Sequence, residues 1–324
     1  MRIWAVLAVA LGWSAVAQAA PVDLADIPAG AKWFAHADVD AMRDSTLVER
    51  AYYQVIQEHP QAEGHFDQVE VVSGMDVRQD LHSLTFYGTK IAPDGVVLIV
   101  KADFDKARLE EKAKEAPNHQ VSEYGDWKIH TWTHDKGKGG EREVAGAFFK
   151  SDVLTFGSSV DEVKKALDLL SGKGDSLAKK DSALTAEIPA GATFVARVVG
   201  LAGAKLPTKS PALQKTKRIS IAMGEHEGKA FFKGELVAED QDTARQVKEI
   251  VEGGRAMITL QYGDDADAKA LLNALEVQLS DKEVSVEISA GVEHIWQAAK
   301  KGRAEMEKHQ KAHKNNKKKD KKEG

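Results

Sequence analysis

The segment His36-Ala37-Asp38-Val39-Asp40 is the densest cluster of chemistry-bearing side chains in the chain. On an extended strand, alternate residues share a face at a spacing of about 6–7 Å, which lines up an imidazole with two carboxylates. That set suits a divalent cation or an acid–base pair. The competing reading is a solvated strand face opposite an apolar one made by Trp33, Ala35, Ala37 and Val39, with Asp40 opening the next turn. A second cluster is His130-Thr131-Trp132-Thr133-His134. Its two histidines would lie about 13 Å apart along a straight strand, too far to share one metal ion. Trp132 between them makes either a ligand-facing aromatic patch or ordinary cross-strand packing. A third set, Glu305, His309 and His313, recurs every four residues. On a helix it forms one stripe, from which the two histidines could chelate a transition metal.

Around these sets no catalytic signature closes. The chain has no G-x-S-x-G, no H-E-x-x-H and no G-x-x-x-x-G-K-[ST]. Gly137-Lys138-Gly139-Gly140 falls in a polar hairpin loop, without the strand-to-helix context that lets backbone amides cradle phosphate. The absence of cysteine excludes disulfides, thiolate zinc sites, iron–sulfur clusters and a cysteine nucleophile. No cofactor is implied. The residues favour a non-enzymatic binding or envelope-associated module. Two alternatives stay open: a hydrolase or metal-dependent enzyme with a site between two repeats, using His36, Asp38 and Asp40, and a metal-binding protein using the C-terminal histidines.

The elements that must position these residues come in two sets. Ala25-Asp26-Ile27-Pro28-Ala29-Gly30-Ala31 recurs as Ala186-Glu187-Ile188-Pro189-Ala190-Gly191-Ala192, six of seven residues identical at an offset of 161. Each copy precedes an apolar strand. The later parallels keep the same order: 82–88 with 218–224, 95–100 with 228–233, 105–108 with 242–245, and Ser151-Asp152 with Ser280-Asp281. Ordered recurrence points to an internal duplication. In the first copy a strand over 32–39 is followed by a helix with a Thr46/Glu49 capping box, ended by Pro60. Runs at 81–87 and 96–101 pair across Pro93-Asp94-Gly95. A helix over 104–116 follows, then strands at 127–133, 144–150 and 153–156 and a helix capped by Ser159 and Glu162. The second copy repeats this, with a helix from Asp242 interrupted at Gly253-Gly254 and a closing helix burying Val292, Ile295, Trp296 and Ala299. The fold expected is α+β: two tandem similar domains, each a mostly antiparallel sheet with helices packed on one face. The first repeat spans 20–170, a linker 171–187, and the second repeat 188–302.

The ends of the 324-residue chain carry addresses rather than fold. Arg2, an apolar run from Ile3 to Leu11, and Ala17-Gln18-Ala19 make a signal peptide, 1–19, with cleavage after Ala19. That implies an exported protein, periplasmic or extracellular, with no transmembrane segment in the mature chain. From Lys300 onward eleven Lys/Arg face four Asp/Glu. With Arg2 set aside and a whole-chain charge of −5, the body Ala20–Ala299 is left at −13. The basic tail, 303–324, has too little apolar surface to bury and is expected to be largely disordered. Lys317, Lys318, Lys319, Lys321 and Lys322 suit an anionic envelope component, the protein's own acidic body, or solvent alone. No nucleic-acid partner is expected, because no aromatic residues interleave the lysines.

The signal peptide, the repeated I-P-A-G-A ahead of a strand, Asp80-Leu81-His82-Ser83-Leu84-Thr85-Phe86-Tyr87-Gly88, the segment Tyr124–Trp132 and the leucine-rich closing helix together resemble a group of uncharacterised exported bacterial proteins with a duplicated α+β domain. The resemblance implies that architecture and export. It implies no activity and transfers no site residue.

Overall fold

The computed structural model describes residues 21–92, 94–135, 141–201 and 211–304. The chain is α+β, with one twelve-stranded sheet, antiparallel at every pairing. Its strands are β1 (Trp33–Asp38), β2 (Leu81–Gly88), β3 (Val96–Ala102), β4 (Gln120–Tyr124), β5 (Trp127–Asp135), β6 (Glu141–Lys150), β7 (Val153–Gly157), β8 (Ala192–Val199), β9 (Thr216–His226), β10 (Lys229–Ala238), β11 (Leu275–Ser280) and β12 (Glu283–Gly291). Across the sheet they run β11-β12-β10-β9-β8-β1-β2-β3-β7-β6-β5-β4. The strands that follow the two I-P-A-G-A segments pair with each other at the centre, Trp33 opposite Val198 and Ala37 opposite Phe194. Two separate sheets were expected. The two central strands each pair on one side with the next strand of their own half, β2 or β9, so their free edges meet and one sheet results, whose outermost strands among the described residues are β11 and β4.

The helices are α1 (Val39–Arg43), α2 (Thr46–Glu58), α3 (Gln61–Ser73), α4 (Lys106–Lys114), α5 (Val160–Leu170), α6 (Pro211–Gln214), α7 (Gln241–Tyr262) and α8 (Ala266–Ala274), with a last helix from 292. They cover both faces of the sheet, not one. Val163 and Leu167 of α5 pack on Ile129, Ala145 and Ala147. Leu109 of α4 packs with Phe148 and Leu154. Ala147 and Phe148 are neighbours on one strand and so point to opposite faces. The same alternation corrects β1: Phe34, His36 and Asp38 form its buried face, and Trp33, Ala35 and Ala37 the half-buried one. Ile27, Leu177 and Leu184 come from the segments before β1 and β8 and pack on Phe34. The interdomain segment 171–187 is therefore part of the core, not a free tether.

Local signals mostly act where their chemistry places them. Ser159 caps α5, accepting from the Glu162 amide, while the Glu162 carboxylate returns to Ser158. The cap of α2 is Ser45, one residue ahead of Thr46. α7 runs unbroken through Gly253-Gly254.

Candidate functional site

The strand at the first cluster ends at Asp38, and the chain turns into α1 before Asp40. The alternation that would have carried three polar groups along one face therefore stops after two. His36 is buried and shares a 2.8 Å hydrogen bond through Nδ1 with Thr85 Oγ1 on β2. Asp38 caps α1, accepting from the Ala41 amide at 2.9 Å. Asp40, also buried, pairs with Arg43 and with His82 Nδ1, 3.1 Å from its carboxylate. Arg43 in turn donates to the carbonyls of Arg78 and Leu81. Burial of the His82 imidazole opposes its charge, but the bond to Asp40 and the nearby Asp103 outweigh it, so the pKa of His82 is raised. Each of these side chains is committed to tying β1, α1 and β2 together. Among the described residues no group of three His, Asp or Glu could hold a metal ion. Glu305, His309, His313 and the tail lysines lie outside the described residues, as does Gly137–Gly140.

The second cluster has different surroundings. β5 places His130 and Trp132 on one face, and His130 lies opposite Gly146 of β6. Gly146 has no side chain because none fits. A Cβ there would lie 2.9 Å from the Phe156 ring and 3.4 Å from Trp132. With that space kept open, Trp132 and Phe156 meet edge to face, centroids 6.2 Å apart. Leu109 and Ala113 of α4 lie above, and Phe148, Leu154 and Phe156 complete the wall of a cavity of about 270 Å³. Glu110 and Lys112 are the charged residues among its lining. Phe148 is braced from behind by Phe104, 5.5 Å away and edge on.

His130 is the polar group in this wall nearest to being fully buried, at 8% exposure. Its Nδ1 lies 3.0 Å from His119 Nε2, and its Nε2 has no hydrogen-bond partner among the described residues. Burial, with the charge of His119 next, lowers its pKa and keeps the ring neutral. His119 is held by the turn after α4: the Thr133 amide donates to the Pro117 carbonyl, and Asn118 Nδ2 donates to Thr133 Oγ1. Glu110 shares the lining, but among the described residues no hydrogen bond joins it to His130, and the lining holds no Ser, Thr or Cys. A cavity of this kind can bind an apolar body, but lacks the partnered groups that bond cleavage needs. The sequence marked His130 and Trp132. It did not mark Phe148, Phe156 or α4. A lone glycine inside the apolar run Val144–Lys150 was the available signal, since such a glycine marks a close approach.

No protein-family description and no curated protein matches the chain. Among solved structures it is similar to three crystal forms of TP0453. Form III shows 10% identity and a TM-score of 0.47 over 86% of this chain and 98% of that one. Form I gives 8% and 0.45, and form IV 10% and 0.46, each covering 97% of that chain. At that identity no residue role or activity transfers. Among the described residues no helix is long and apolar enough to cross a membrane.

Proposed function

We propose that this is an exported, non-enzymatic binding module that takes a small apolar ligand into the cavity between α4 and β5–β6–β7. The cavity carries the proposal: a wall of Leu109, Ala113, Trp132, Phe148, Leu154 and Phe156, with one buried neutral histidine. Its volume exceeds the roughly 150 Å³ of a dry apolar cavity known to bind benzene. Titration with the neutral fluorescent probe N-phenyl-1-naphthylamine should give saturable one-site binding. Ala113→Phe, which fills the space from an exposed helix, should abolish it. Absence of saturable binding to the parent protein defeats the reading.

The module is a duplication with a swapped-in centre. Support comes from the strand order on either side of the β1–β8 pair: β2, β3, β7, β6 outward on one side and β9, β10, β12, β11 on the other. In both, the third strand outward is the last of its set in sequence and the fourth precedes it, joined by a tight turn at Ser151-Asp152 or Asp281-Lys282. The β4–β5 hairpin, which has no counterpart among the described residues of the second half, adds His130 and Trp132 to a cavity otherwise lined by α4, β6 and β7. Export rests on the signal sequence ending at Ala19, and attachment to an anionic envelope component on the basic tail. The mature N-terminus should be Ala20 by mass. Truncation after Gly302 should remove a salt-sensitive association with envelope material.

A further inference from the structure

We propose that the second half binds a small monovalent anion, of halide size, in a small half-open chamber between the segment 184–189 and strands β8, β9 and β10. The argument is independent of the apolar cavity. Arg197 on β8 lies opposite Ser220 on β9, and Ser220 lies opposite Glu235 on β10, so the three form one row on one face of the sheet. Arg197 is 4% exposed. Its Nη1 donates to the carbonyls of Leu184 and Ala186, both at 2.7 Å, and its Nη2 to that of Glu187 at 2.8 Å. All three acceptors are neutral. The Phe34 ring lies 5.9 Å from the guanidinium carbon, and no carboxylate is in ion-pair contact with it among the described residues.

Donors are left over. Arg197 Nε and Ser220 Oγ are buried with no hydrogen-bond partner among the described residues, and so is Nε of Arg218, two residues along the same face of β9. The carboxylate that could neutralise this row is already shared: Glu235 lies 3.6 Å from Arg218 and 3.5 Å from Lys233. Arg197, Ser220, Lys233 and two acidic residues, Glu187 and Glu235, line a chamber of about 20 Å³. A chamber of that size admits one water-sized sphere. A wider cleft of about 450 Å³ shares Glu187, Pro189 and Lys233 with it and gives a route from solvent.

Charge decides what fits. A buried guanidinium is stable only with compensation, and a charge-assisted bond supplies more of it than a neutral one. Burial presses Arg197 toward losing its proton; the Glu235 carboxylate opposes this, and the second guanidinium of Arg218 adds to it. A water would answer the unpartnered N–H but not the positive charge. A small anion answers both. It would also hold in place the arginine that clamps 184–187 to β8, and so stabilise the join between the halves.

The test uses the full mature chain. In crystals soaked in sodium bromide, an anomalous peak should lie between Arg197 Nε and Ser220 Oγ. In solution, Tm should be higher in sodium bromide than in sodium gluconate at equal ionic strength, since gluconate is too large for the chamber. Ser220→Ala, a small buried change, should reduce that difference several-fold. An ordered water with no bromide at that position overturns the proposal, as does equal Tm in the two salts.

Discussion

His82 and His130 lie on the same sheet, and in each a neighbouring side chain meets Nδ1, yet their surroundings give them opposite roles. His82 sits between Asp40 and Asp103, with Arg43 on the far side of Asp40, so charge is welcomed and the imidazole acts as a strut. His130 faces carbon on most sides and another imidazole on one, so charge is expelled and the ring stays neutral beside an open cavity. The residues richest in chemistry, His36 to Asp40, are spent on joining β1 to α1 and β2. The space where something could bind is walled by residues with almost no chemistry of their own. A ligand site in this protein is better sought where packing fails to close than where polar groups gather.

The largest effect expected from this contrast is at Asp40. Asp40→Ala leaves Arg43 without its carboxylate near a buried junction and should lower unfolding free energy by about 3 kcal/mol in urea titrations. The same variant should leave probe binding unchanged; a lost probe site with intact stability would reverse the assignment of the two regions. Next is Trp132→Ala, which should weaken the naphthylamine probe about tenfold, near 1.4 kcal/mol, by fluorescence titration. Thr85→Val removes the 2.8 Å partner of His36 and should cost about 1 kcal/mol of stability, with no effect on the probe.

The smallest and most discriminating effect is in pH. The raised pKa of His82 means that its stabilisation is fully present below its unfolded value of 6.5 and is lost as pH rises through the folded value. The lowered pKa of His130 has the opposite sign: its contribution is present above 6.5 and is lost as pH falls through the folded value. His82→Gln should therefore destabilise more in mildly acid than in mildly alkaline buffer, and His130→Gln the reverse. Denaturant midpoints on both sides of neutrality would show it; parallel pH profiles for the two variants would mean that the two environments are alike after all.

Much of the local structure was legible. Ser159 capping α5, the turns at Gly95 and at Ser151-Asp152, and Trp127 opening β5 all depend on neighbours within a few residues, so composition and spacing carry them. The face of β1 was not. Both of its faces are covered, and on a strand buried on both sides alternation no longer tells core from solvent. That is why His36 and Asp38 read as solvated and proved buried. Gly253-Gly254 read as a break because glycine weakens helices by about 1 kcal/mol each, an amount the rest of a 22-residue helix overrides.

By itself the sequence determined most of the element types, the cysteine-free chemistry, the uneven charge and the recurrence of I-P-A-G-A, because each is a matter of composition or of contacts short along the chain. Only the tertiary structure decided that the two central strands pair into one sheet, that helices cover both its faces, and that α4 roofs over Trp132, Phe148 and Phe156. Those depend on contacts between residues tens to hundreds of positions apart. Which edges meet and which gaps stay unfilled is fixed by the fit of whole surfaces, and no local pattern encodes it.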